Sequence, residues 1–165
     1  MTRWIVVGVA LSVAALLVME AAAALSVTTA AISFPNVTLN GAPQTVNGST
    51  SAWRADALGE TGGWKLTVSS TDFDNGGGKT IPVTNFQIRL LDANIVWVSG
   101  NPNEPTSSQT TFTALSGTAL KIASAAAGQG EGVYDITPDF RLTVPAETYA
   151  DDYTATVTVD ISAGP

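Results

Sequence analysis

The chain is expected to fold as an all-β protein, an antiparallel β-sandwich of Ig-like or jelly-roll-like kind. Three observations predict this. Short segments alternate apolar and polar residues with period two, the spacing that puts one set of side chains on each face of a strand. Turn signals built from Gly, Pro, Asn and Asp separate them. The polar residues are largely Thr, Ser and Asn, since only 13% of the chain is charged while 45% is hydrophobic. β-branched and aromatic residues suit a half-buried pleated surface. Past the first 24 residues no stretch keeps a helical period, although a short helical turn within Gly117–Ala127 is compatible with its composition.

The first 24 residues stand apart. Arg3 is followed by an apolar run, Trp4–Val18, and then by Ala21-Ala22-Ala23-Ala24. A positive start, an apolar stretch and small residues make a secretory signal with cleavage near Ala24. The run is shorter than the ~20 residues that span a bilayer. The expected organisation is therefore a signal segment at 1–24 and one domain at 25–165, extracellular and free of the membrane after cleavage. A domain of roughly 140 residues buries about 70% of its unfolded surface and needs no disulfide or metal staple.

The strand around which the others are expected to assemble is Trp64–Ser70. Gly62-Gly63 end a turn, and Trp64, Leu66 and Val68 then alternate with Lys65, Thr67 and Ser69. Before it, Leu25–Leu39 reads as two short strands near an edge, broken by Pro35, because proline cannot donate to a ladder. Asn40-Gly41-Ala42-Pro43 is a turn, and Asn47-Gly48 signals a second turn within polar Gln44–Ser51. Ser51–Leu58 holds a strand with Trp53 and Ala55 on one side and Arg54 and Asp56 on the other.

After it, Thr71–Thr80 is a glycine-rich loop. Val83, Phe86, Ile88 and Leu90 are core candidates of the next strand region, and Ile95–Val98 is a short strand carrying Trp97. Ser99–Thr111 is a long loop. Ala125–Gly132 consists largely of Ala and Gly, as tight packing or turning requires. Phe140–Val144 alternates until Pro145, and Tyr153–Ser162 is the cleanest alternation of the chain.

Composition excludes much chemistry. There is no His and no Cys, which removes the usual general base, thiolate zinc sites and any disulfide framework. Asp72 and Asp74 on one loop, and adjacent Asp151 and Asp152 in another, do not form a facing acid/base pair. The chain is expected to be no enzyme, with no catalytic residues and no cofactor. Asp72, Asp74 and Asn75 resemble the opening of a calcium loop, but Gly76 stands at the next acidic position and Val83 at the twelfth, so no metal site is expected. A net charge of −7 with scattered Lys and Arg argues against nucleic acid. Trp53, Trp64 and Trp97 sit in strand contexts, where a core role is favoured over stacking on a sugar.

The chain resembles the WxL-domain proteins, surface proteins of Gram-positive and related bacteria. The residues that carry the likeness are Phe34–Gly41, Trp53 with Asp56–Gly59, Gly62–Val68 with its Trp-x-Leu, Thr71–Phe73, Ala125–Gly132, Leu142–Pro145 and Tyr153–Val159. The resemblance implies non-covalent attachment at the cell surface, to wall peptidoglycan or to partner surface proteins, with Trp64 and Leu66 as the ligand-binding residues. Val157-Thr158-Val159 stands where the second Trp-x-Leu is expected, so a single motif is present. The alternative is a structural subunit of an extracellular filament or surface layer, self-associating by β-strand exchange with Leu25–Phe34 as the donor.

Overall fold

The structure is a computed structural model that describes residues 25–165. The signal segment expected at 1–24 lies outside the described residues.

Nearly all regular structure is antiparallel strand, as predicted, and it divides among three four-stranded sheets and a small hairpin. The middle of the first sheet is β3 (Trp53–Asp56) paired with β12 (Gly132–Ile136). β1 (Ser26–Thr28) lies outside β3, and β8 (Ile95–Gly100) outside β12. The second sheet runs β10 (Thr113–Ala114), β7 (Phe86–Arg89), β13 (Asp139–Val144), β2 (Gln44–Gly48). The third runs β14 (Val157–Ala163), β4 (Trp64–Ser70), β11 (Leu120–Ala125), β9 (Thr106–Ser107). β5 (Phe73–Asp74) and β6 (Thr80–Ile81) close the glycine loop into a hairpin.

The inner faces share one core. Trp53 of the first sheet meets Phe140 of the second at 5.8 Å between ring centroids, and Trp64 of the third meets Tyr134 of the first at 6.2 Å. β4 is central in its sheet, with Leu66 opposite Ile161 on one side and Ala123 on the other. Its apolar residues are fully buried and its polar alternates half-buried, the result expected of period-two patterning with one face inward.

Four local expectations need correction. Asn47-Gly48 is not a turn but the end of β2, paired with Arg141 and Phe140. A glycine there leaves room for the Phe34 ring; a Cβ at 48 would come within 2.7 Å of that ring. The second expected strand of Leu25–Leu39 reduces to one bridge, Ser33 with Ser49. The Gly117–Ala127 stretch forms strand β11 instead of a helical turn, since pairing with both β4 and β9 satisfies its backbone. Val83 is half-buried, because Val83–Asn85 makes a 3-10 turn that starts β7 only at Phe86.

Candidate functional site

The Trp-x-Leu side chains point inward. Trp64 and Leu66 are both fully buried. The indole Nε1 of Trp64 donates 2.8 Å to the carbonyl of Gly130, and the Gly130 N–H donates 3.0 Å to the carbonyl of Asn103. Tyr134, packed against Trp64, sends its hydroxyl to the Asn101 carbonyl at 2.7 Å, with the Asn103 carbonyl 3.1 Å away. Asn101 N–H in turn donates to Glu131 O at 2.8 Å. Two aromatic side chains on different sheets thus tie the Asn101–Asn103 loop to the Gly130 loop. Burial, and secondarily the carboxylate of Glu104, push the Tyr134 hydroxyl above the ordinary tyrosine range.

Gly130 is the residue on which this clamp closes. Its φ of +66 lies in the left-handed region, and a Cβ there would strike Ala125 and approach Trp64 Nε1 to 2.9 Å. The small-residue character of Ala125–Gly132 follows from this closeness. Neither Trp64 nor Leu66 presents a face to solvent in this arrangement: Trp64 holds a loop in place and Leu66 fills the core.

The exposed apolar surface lies elsewhere. β8 pairs with β12 on one side only and forms the edge of its sheet. Trp97 lies opposite Tyr134, but a register shift leaves Val98 unmatched, as in a β-bulge. Val96 is 55% exposed, Trp97 43% and Val98 40%. The core role expected for Trp97 is therefore corrected: it stands on an edge strand with its side chain partly open to solvent. Leu58, also exposed, reaches Gly100 at the end of the same strand. Val96 lies beside Asp135, whose carboxylate takes both Nε and Nη2 of Arg54 at 2.9 Å. The Arg54 hydrogen bonds hold the Asp135 carboxyl below the usual carboxylate range. No charged side chain stands within Ile95–Gly100, so the strip is apolar and locally neutral. The unbroken apolar run Ile95–Val98 was the available signal, because a strand apolar on both faces is either central or an exposed edge.

The acidic residues considered for chemistry shape loops. Asp72 Oδ1 accepts from Val83 N–H at 2.7 Å and Asp74 Oδ1 from Gly76 N–H at 2.5 Å. Asn75 Nδ2 donates to Asp151 Oδ2 at 2.8 Å, which draws the two acidic loops together. Among the described residues no group of three or more acidic side chains is placed to hold a metal ion, and no helix is long and apolar enough to cross a membrane.

The model of the WxL domain, described as surface cell wall-binding, matches residues 54–165. The chain belongs to the WxL family. The matched segment takes in the Trp64 clamp, β8 and the C-terminal strand β14, and leaves out Leu25–Trp53. As a WxL domain the chain is a cell wall-binding surface protein, the location and coarse role expected from its motifs. No curated protein matches it. Among solved structures it is similar to a family 123 glycoside hydrolase from Clostridium perfringens, studied for glycolipid glycan hydrolysis, at 13% identity and a TM-score of 0.40. That likeness covers 74% of this chain and 19% of the hydrolase.

Proposed function

We propose that this WxL domain attaches non-covalently, and without catalysis, to the peptidoglycan of the cell wall, through the edge strand that bears Trp97. The observation that supports it is an exposed indole on an edge strand without charged side chains, in a domain whose motif tryptophan is buried. An indole face stacks on the apolar face of a sugar ring, and the neighbouring free strand edge offers N–H and C=O groups to hydroxyls. Trp64 serves this attachment as a positioning residue, and Leu66, buried between Ile161 and Ala123, as part of the core beneath it. Trp64 anchors the Gly130 loop, which leads into β12, and through Gly130 the Asn101–Asn103 loop, which follows directly from the end of β8. Residues 1–24 export the domain and are then removed.

Co-sedimentation with purified peptidoglycan tests this. Wild-type protein is expected in the pellet, with little loss at high salt because the contact strip is uncharged. Trp97→Ala is expected in the supernatant with an unchanged melting temperature. A Trp97→Ala variant that pellets like wild type overturns the assignment of the surface.

A further inference from the structure

We propose that the segment Leu25–Leu39 is an exchangeable strap, and that a second copy of this chain can lay its own strap in the same seat. The proposal is independent of wall attachment; the strap also lies N-terminal to the segment that matches the WxL model.

The strap is weakly tied for its apolar content. Val27, Ile32, Phe34, Val37 and Leu39 pack against the core yet remain half-buried. Its ladder pairing covers only Ser26–Thr28 against Arg54–Asp56, followed by the Ser33–Ser49 bridge with its two 2.9 Å backbone bonds. By contrast β14 pairs with β4 along its whole length. A cleft of about 1340 Å³ runs beside the strap, between it and side chains of β2, β13 and β14 such as Val46, Leu142, Val157 and Val159. Trp53 also lines it, and the buried Nε1 of that indole has no hydrogen-bond partner among the described residues. The core is thus least complete where the strap covers it. Few backbone hydrogen bonds are lost when such a segment lifts away.

A second copy is the occupant because the seat already fits this sequence. Phe34 lies over Gly48, 5.8 Å from the Phe86 centroid and 6.2 Å from that of Phe73, both edge-on. A strap arriving from another molecule makes those same contacts, so exchange changes few interactions and is governed by concentration. The turn Asn40–Pro43 is the pivot that exchange requires. Gly41 has φ +77 with open space around it, and the turn is held by Asn40 Oδ1 accepting from Ala42 N–H at 3.0 Å. Opening that turn extends the strap as an arm. Copies that each donate an arm to the next form a chain; two that trade arms form a closed dimer. The net charge of −7 opposes close approach at low salt, so added salt should favour exchange.

The test uses the absence of native cysteine. Ser33 and Ser49 are exposed, directly paired, and their Oγ atoms are 3.2 Å apart, a pairing compatible with disulfide geometry. Ser33→Cys protein, isotopically labelled, is mixed at millimolar concentration with unlabelled Ser49→Cys protein, warmed below the melting temperature, cooled and oxidised. Exchange predicts a 33-to-49 disulfide between labelled and unlabelled chains, identified by mass spectrometry, in several-fold excess over the 33-to-33 and 49-to-49 disulfides that collision of exposed thiols forms, and more abundant at 0.5 M salt than at 0.05 M. A statistical mixture, only like-with-like disulfides, or none, overturns the proposal. The Ser33→Cys/Ser49→Cys double variant, oxidised when dilute, is expected to close within one chain and then to stay monomeric on concentration. Failure to close refutes the seat itself. Peptidoglycan plays no part in either readout, so failure here leaves wall attachment to be judged by its own assay.

Discussion

Two tryptophans of equal burial should respond unequally to the same substitution. Trp53 is 1% exposed and Trp64 0%. Trp64 Nε1 donates to Gly130 O, whereas Trp53 Nε1 is buried with no partner among the described residues. Replacement by Phe removes the same ring volume at both sites, so the cavity contribution is similar and largely cancels in the comparison. At position 64 the substitution orphans the Gly130 carbonyl, at a cost of about 1–3 kcal/mol. At position 53 it relieves a buried, unpaired donor, a gain of about 1–3 kcal/mol. Trp64→Phe should therefore be less stable than Trp53→Phe by roughly 2–6 kcal/mol, the sum of the two contributions. Urea unfolding followed by far-UV circular dichroism measures it. With unchanged m values the midpoints should differ by on the order of 1–2 M. Equal midpoints, or a larger loss at position 53, would refute the view that the Trp64 indole is a clamp and not merely a space-filler.

The remaining expectations are independent of that pair. Gly130→Ala should cost roughly 2–5 kcal/mol, combining the left-handed backbone with a methyl forced against Ala125 and Trp64, and a melt within a degree or two of wild type would contradict the clamp geometry. Tyr134 has its folded-state pKa raised by burial, so the folded state favours the neutral phenol. Its stabilising effect is complete below the ordinary tyrosine value near 10 and is lost as pH rises from there through the folded value. Stability measured across that window should fall, and Tyr134→Phe should flatten the fall. Gly48→Ala should push the Phe34 ring aside at a cost of about 1 kcal/mol and speed exchange in the disulfide assay; an unchanged rate separates Phe34 from the holding of the strap. N-terminal sequencing of exported protein should begin near Leu25, and an intact Met1 would reject cleavage.

Legibility followed burial. Trp53–Asp56, Trp64–Ser70 and Asp139–Val144 were readable because large apolar residues alternate with polar ones and one face of each strand is fully covered. β2 was not, because both its faces are at most half-buried and its glycine makes room for Phe34 without turning the chain. β14 alternates more cleanly than any other strand, yet Val157 and Val159 are only half-buried, since it is an edge strand beside the open cleft. Within the site, Gly130 and Tyr134 carried no motif of their own. Their roles arise from a hydrogen bond between residues 66 apart, Trp64 and Gly130, and from packing between sheets.

Residue order alone determined that the described chain is extended antiparallel strand, that Trp64, Leu66 and Val68 face inward, and that the WxL motif is present once. Those are local properties, set by side-chain period and turn chemistry. Tertiary structure decided which tryptophan is dry and which is wet. Trp64 sits between two neighbouring strands under the Gly130 loop, while Trp97 has a strand on one side only. That difference depends on partners from distant parts of the chain, and no local pattern encodes how many of them a strand will find.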